Sequence, residues 1–122
     1  MKFLKRFEPA AYAFMRIVTG FLFACHGADL LFGAFGGHPV WHHALLVAAG
    51  IIELGAGVLV LLGLQTRFAA FLASGEMAFA YFMEHARKSF FPISNGGELS
   101  VLYCFLFLFI ATRGTERWGV EK

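Results

Sequence analysis

The sequence predicts an all-α, polytopic membrane protein: one domain over residues 1–122 that forms a four-transmembrane-helix bundle. Of the 122 residues, 59% are hydrophobic and 15% are charged, which leaves too little polar surface for a soluble domain of this size. The apolar residues fall into four long blocks separated by short polar, glycine-containing or proline-containing joints. One block, residues 44–64, is apolar apart from Glu53 and has the roughly 20 residues needed to cross a bilayer.

The first predicted helix covers residues 9–32 and follows a short basic segment. Pro9 suits the first turn of a helix. A signal peptide also begins with positive charge before an apolar core, and residues 22–25 faintly resemble a lipoprotein cleavage box. Phe23 fits that box badly and Arg16 interrupts the apolar core. We therefore expect this segment to remain in the protein as a membrane span.

The other predicted helices cover residues 42–63, 66–86 and 97–113. The joint between the second and third is very short, so these two helices form an antiparallel hairpin. The glycine-rich residues 33–41 form a loop before the second helix. Asn-Gly-Gly at 95–97 is a strong turn signal before the fourth.

The distribution of lysine and arginine predicts the orientation. With four spans both termini lie on one side of the membrane, and we expect that side to be the cytoplasm because it collects most of the basic flanking residues. Arg87 and Lys88 lie on the other side. The basic residues on the side of the termini are Lys2, Lys5, Arg6, Arg67, Arg113, Arg117 and Lys122. The net charge of +2 is too small to indicate nucleic acid, so the lipid bilayer is the expected partner.

Three charged residues lie near the middle of their predicted helices. Arg16, Glu53 and Glu76 should lie at similar depth, at roughly 1.5 Å rise per residue. A carboxylate near the midplane costs about 2.5–3.5 kcal/mol on insertion scales. We therefore expect Arg16 to pair with Glu53, while Glu76 competes for the same cation and one carboxyl group carries a proton. The trio is either a structural clamp or a site for protons or a ligand.

A second polar layer is predicted toward the outer ends of the helices. Its members are His26, Asp29, His42, His43, Glu84, His85 and Glu98. No HxxxH or HExxH spacing occurs among them, so we predict no metal site. An opening lined by such groups above Phe and Leu walls could hold the polar head of a quinone or another amphiphile. Cys25 and Cys104 predict neither a disulfide framework nor a catalytic thiol.

Several motifs in this order resemble those of the bacterial DoxX family. They are R-x-x-x-G and H-G in the first helix, G-x-x-E-x-x-x-G and L-L-G-L-x-T-R around the second, a Met and a terminal His in the third, and P-x-x-N-G-G-E before the fourth. Here they include Arg16, Gly20, His26, Gly27, residues 50–57 and 61–67, Met77, His85 and residues 92–98. Asp29 and residues 115–118 depart from the family pattern.

The resemblance implies a four-helix bacterial inner-membrane protein. The family name derives from a thiosulfate:quinone oxidoreductase and quinol-oxidase context, and members are associated with redox and oxidative-stress systems. At the positions that match the family's motifs, the resemblance implies that the functionally important residues are Arg16, Glu53, His85, Asn95 and Glu98.

The resulting functional hypothesis is a redox-associated subunit that binds a quinone or similar amphiphile within the bundle. Charge and proton handling is assigned to Arg16, Glu53 and Glu76, and the outer opening to His26, His85, Asn95 and Glu98. The sequence has no haem, iron–sulfur or nucleotide-binding signature, so we expect no intrinsic cofactor and a redox partner protein that supplies electrons. In an enzyme, the chain would be a subunit of a quinone-linked oxidoreductase without its own cofactor.

Two alternatives remain open at this stage. A small-solute carrier or efflux component would need a homo-oligomer, because four helices are few for a complete transport pathway. A non-catalytic membrane scaffold would use the same polar residues for folding and assembly only.

Overall fold

Five α-helices form the fold over residues 1–121, which are the residues that the computed structural model describes. They are α1 (Glu8–Phe32), α2 (Ala44–Leu62), α3 (Thr66–Ala80), the short α4 (Pro92–Asn95) and α5 (Glu98–Arg113). A 3₁₀ segment, Lys2–Phe7, precedes α1, and no strand occurs in this part of the chain. Lys122, one of the basic residues used to predict orientation, lies outside the described residues.

The predicted helix boundaries agree with the structure to within two residues, except at the end of α3. The segment α2 begins at Ala44 and not at the predicted residue 42, because His43 caps the helix: its Nδ1 accepts a hydrogen bond of 3.4 Å from the amide of Leu46. The α-helical part of α3 ends at Ala80, six residues before the predicted end at 86.

Beyond Ala80 the helix continues as one wider turn over Tyr81–His85. The amide of Ala86 donates to the carbonyl of Tyr81 at 2.9 Å, an i→i+5 hydrogen bond. Such wide turns are rare and often occur near functional sites.

The helices α1 and α2 pack antiparallel with their backbones in close approach at glycine. A Cβ atom on Gly20 would lie 2.6 Å from the amide nitrogen of Leu61, and one on Gly57 would lie 2.5 Å from that of Ala24. Such small-residue contacts are typical of helix packing in membranes, where backbones approach closely. These contacts fix the register between the two helices.

The helix α3 packs mainly against α5, through alanine and one polar contact. Ala70 and Ala73 are fully buried, and the Ser74 hydroxyl donates to the Cys104 carbonyl at 2.7 Å. Phe23 of α1 joins this pair to the first, with its ring centroid 4.6 Å from that of Phe107. The core therefore consists of two helix pairs joined by aromatic rings.

Large apolar side chains cover the outside of the helices. Phe68, Phe71 and Phe105 are 66%, 68% and 63% exposed. Monomeric soluble proteins rarely expose such extended apolar surface, whereas lipid tails solvate it. Two helical segments, Lys2–Phe32 and Ala44–Leu62, are long and apolar enough to cross a bilayer.

The C-terminal tail folds back against the end of the bundle that carries both termini, here called the terminal end. The amides of Val120 and Glu121 donate to the carbonyls of Leu62 and Gly63 at 2.8 and 2.9 Å. The Tyr12 hydroxyl donates to the Gly114 carbonyl at 2.8 Å. These bonds fasten the tail to the terminal end of the bundle.

Candidate functional site

A cavity of about 270 Å³ lies among α1, α2, α3 and α5 toward the end opposite the termini. We call it the Glu53 cavity, because Glu53 lines it while only 7% of that residue is exposed. The other residues that line it are Phe23, His26, Asp29, Leu30, Met77, Ala80, Leu99, Ser100 and Tyr103. It is thus an apolar space with a few polar groups, the usual composition of a small-molecule site.

Aromatic rings from α1 and α5 form one wall of the Glu53 cavity. The ring centroids of Phe23 and Tyr103 are 5.3 Å apart, and the His26 ring meets Tyr103 edge-on at 6.0 Å. Phe107 stacks behind Tyr103 at 5.8 Å with an interplanar angle of 20°. This packing holds the Tyr103 ring in place, so a planar ligand would meet a preformed aromatic surface.

Glu53 meets a second carboxyl group, that of Glu76 on α3, in a side-chain hydrogen bond. Glu76 Oε1 is buried and receives no hydrogen bond from an N–H or O–H donor in the part of the chain that is described. An ionised carboxylate only accepts hydrogen bonds. The contact therefore requires a proton on one of the two groups, as for other carboxyl pairs at short separation.

Glu76 also lines a second space, a groove of about 490 Å³ between α2 and α3. We call it the α2/α3 groove. Its walls are apolar, and its polar members are Glu76 and Glu84, of which Glu84 is exposed. The two acids of the pair therefore face different spaces, Glu53 the cavity and Glu76 the groove.

The predicted pairing of Arg16 with Glu53 is wrong. Arg16 is fully buried, and its Nη1 donates to the carbonyls of Val60 and Leu61 at 2.5 and 3.2 Å. Its Nη2 donates to the carbonyls of Arg117 and Trp118 at 2.8 and 3.0 Å. Arg16 thus binds the end of α2 and the C-terminal tail through carbonyl oxygens, and no ion pair with an acid of the described chain is present.

The four outer candidates do not form one opening. His26 lines the Glu53 cavity at an exposed position, as the outer-opening hypothesis requires. His85 instead contacts the Asn95 carbonyl through Nδ1 at 3.3 Å. Glu98 is exposed at the first residue of α5 and does not line the cavity.

Asn95 is the centre of a small hydrogen-bonded knot before α5. Its Nδ2 donates to the Tyr81 hydroxyl at 3.0 Å and to the Ser89 carbonyl at 3.1 Å, and its Oδ1 accepts from the Gly97 amide at 2.8 Å. The residue is 3% exposed. With its polar atoms bonded in this way, Asn95 positions the wide turn of α3 against the start of α5.

Metal ligands are not brought together by the fold. Within residues 1–121, no three His, Cys, Asp or Glu side chains lie close enough to form a metal-binding group. The two free cysteines, Cys25 and Cys104, are half-buried.

Comparison with known proteins identifies the family. The DoxX family model matches residues 11–86, which is more than half of the chain. The chain belongs to the DoxX family. It is also 41% identical over 129 aligned residues to an uncharacterized protein of Haemophilus influenzae, an alignment that covers 100% of this chain and 96% of the relative. No solved structure matches it.

The family match covers α1, α2 and α3 of this DoxX protein but not α5, which forms part of the cavity wall. Residues 11–86 include Arg16, Glu53, Glu76 and His85, whereas Asn95 and Glu98 lie beyond it. Family membership and the apolar helices together indicate a membrane protein.

Most residues of the cavity wall were not among the predicted site residues of this DoxX protein, and Phe23, Met77 and Tyr103 show why. Phe23 and Met77 are apolar, so nothing in their chemistry separates them from ordinary core residues. Tyr103 carries a weak signal, because its hydroxyl is a polar group within the run LYCFLFLF of α5. A buried tyrosine hydroxyl normally needs a hydrogen-bond partner, which makes Tyr103 a candidate to contact a ligand.

Proposed function

We propose that this DoxX protein is a redox-associated membrane subunit that binds a quinone or similar amphiphile in the Glu53 cavity. The observation that carries the proposal is the buried Glu53–Glu76 carboxyl pair at the side of an aromatic-walled cavity. A quinone is a planar ring with two carbonyl acceptors. It therefore needs flat apolar walls and one or two hydrogen-bond donors.

The cavity offers these features. The Tyr103 ring supplies a flat surface, with the Phe23 ring tilted by 53° beside it, and a protonated Glu53 or the Tyr103 hydroxyl supplies a donor to a ring carbonyl. At about 270 Å³, the space suits a ring headgroup, so a long isoprenoid tail would extend into the surrounding lipid.

The proposal includes four membrane spans, with α3 and α5 crossing beside α1 and α2. The exposed phenylalanines support this arrangement, since Phe71 on α3 and Phe105 on α5 face outward. The excess of lysine and arginine at the terminal end supports cytoplasmic termini in a bacterial inner membrane. The Glu53 cavity would then lie in the outer half of the bilayer.

A partner protein supplies the electrons in this proposal. The sequence carries no haem, iron–sulfur or nucleotide-binding signature, and the residues at the cavity bind and orient a ring without storing electrons. The role of this chain is to hold the quinone and to manage its hydrogen bonds and protons.

Photolabelling of the purified protein tests the location of the ligand. A short-chain azidoquinone should label peptides from residues 23–30 and 99–103, and excess unlabelled quinone should compete with it. Labelling that unlabelled quinone does not reduce, or that falls only on the outward phenylalanines, would count against the proposal.

A further inference from the structure

Within residues 1–121, neither acid of the carboxyl pair forms a salt bridge with a cation. Glu53 is 7% exposed, and its hydrogen bond is to Glu76. Arg16, the predicted counter-ion, binds carbonyl groups at the terminal end instead. The pair is therefore held together by a proton rather than by a positive side chain.

The two acids lie on opposite sides of the contact between α2 and α3. Glu53 faces the cavity that would hold the ligand, and Glu76 faces the α2/α3 groove. The groove also contains the exposed Glu84, so it leads from the pair toward the end of the bundle opposite the termini.

A ligand in the cavity would separate Glu53 from the water at the cavity mouth. The titratable groups on that side are His26 and Asp29 of α1 and Tyr103 of α5. A ring bound in the cavity would either lie between these groups and Glu53 or be in contact with them. Glu76 remains in direct contact with Glu53 and has its own opening past Glu84.

We propose, on the basis of the function proposed above, that the Glu53–Glu76 pair relays a proton from the α2/α3 groove to a ligand bound in the Glu53 cavity. The ligand accepts the proton as it is reduced: one electron from the redox partner of the proposed function and the proton of the carboxyl pair add one hydrogen atom to a ring carbonyl oxygen of the quinone. Once Glu53 has given up the shared proton, both acids are carboxylates. Glu76 then takes a proton from water at the exposed Glu84 end of the groove and shares it with Glu53 again. One electron and one proton reach the ligand and one proton enters the groove, so atoms and charge balance.

The shared proton can be tested without any ligand. Infrared spectra of the ligand-free protein at neutral pH should contain the C=O band of a protonated carboxylic acid. Glu53→Gln/Glu76→Gln should remove this band, and Glu98→Gln, which changes an exposed acid away from the pair, should not. Absence of a protonated-acid band from the wild type overturns the relay whether or not a quinone binds.

The route of the proton can be tested with two glycine variants. A Cβ atom on Gly75 meets no atom within 4 Å, and Gly75 lines the α2/α3 groove. Gly75→Leu should therefore fill the groove without a clash. Gly55 has the same free space around its Cβ but lines neither the groove nor the cavity, so Gly55→Leu is the matched control.

The readout is the rate at which the shared proton exchanges with D₂O while a short-chain quinone occupies the cavity. We expect exchange to be several-fold slower in Gly75→Leu than in the wild type and in Gly55→Leu. Equal rates in the two variants, or exchange in the wild type that stops when quinone binds, would show that protons use the cavity mouth and would overturn the relay. Failure of the quinone to bind at all would instead overturn the proposed function, while the infrared test of the shared proton would still stand.

Discussion

Arg16 Nη1 lies 2.5 Å from the carbonyl oxygen of Val60, seven residues along α2 from Glu53. At 1.5 Å per residue this offset is about 10 Å along the helix axis. Arg16, the one buried arginine or lysine among residues 1–121, therefore fastens the terminal end, and the two central acids are left in contact with each other.

Arg16→Lys should lower the stability of the protein in detergent. A lysine keeps the charge but lacks the planar guanidinium that reaches the carbonyls of both α2 and the tail. We expect a loss of about 1.5–3 kcal/mol in the free energy of unfolding, the scale of hydrogen bonds to charged groups. Thermal unfolding would measure this, with the exposed Arg87→Lys as the control. Equal melting temperatures for the two variants would show that the Arg16 guanidinium does not hold the C-terminal tail to α2.

Gly27→Ala should be destabilising. A Cβ atom at this position would collide with the backbone of Leu54, so α1 and α2 would have to move apart, at a cost of about 1–3 kcal/mol typical of overpacking. Gly55→Ala has free space and should be neutral or stabilising by about 0.5–1 kcal/mol through helix propensity. Chemical unfolding of both variants gives the comparison, and a reversed order would contradict the packing described for these helices.

Asn95→Asp should reduce stability and leave ligand affinity unchanged. The substitution replaces the Nδ2 donor to Tyr81 and Ser89 with an acceptor, and an unsatisfied buried group costs about 1–3 kcal/mol. The residue does not line the Glu53 cavity. Melting temperature and quinone affinity measured on the same preparation separate the two effects. A loss of affinity in protein that remains folded would restore Asn95 as a ligand-binding residue.

Quinone affinity should fall as the pH is raised. The hydrogen bond that Glu53 gives to the ligand depends on the proton held by the carboxyl pair, and this proton is lost at high pH. In Glu53→Gln the amide remains a donor at every pH, so its affinity should change much less. Binding titrations at several pH values test this, and a parallel pH dependence in both proteins would assign the effect to a group other than Glu53.

Much of the helical framework could be predicted from the sequence because each boundary has a local cause. The cap at Gly33 and the glycines around 63 and 96 end or separate helices whatever their neighbours are. The wide turn over Tyr81–His85 has no such signal. It depends on Asn95 and Ser89, which approach it only in the folded chain.

The partner of Arg16 could not be predicted because residue spacing gives depth along one helix and not the register between two helices. Gly20 approaches Leu61, and Gly27 approaches Leu54, so Arg16 lies level with the end of α2 and not with Glu53. The spacing also cannot show that backbone carbonyls, present at every residue, satisfy a buried guanidinium. The sequence predicted Glu53 and Glu76 at similar depth beside a shared cation, but it did not predict their direct contact, and the structure places Arg16 elsewhere.

The affinity of the purified protein for a short-chain quinone, measured for the wild type, Glu53→Leu and Glu98→Gln, tests directly whether the Glu53 cavity is the ligand site. The wild type and Glu98→Gln should bind equally well. Glu53→Leu should bind about tenfold more weakly, the factor that corresponds to the loss of roughly 1.4 kcal/mol. Binding to Glu53→Leu with wild-type affinity would contradict the assignment of the Glu53 cavity as the ligand site.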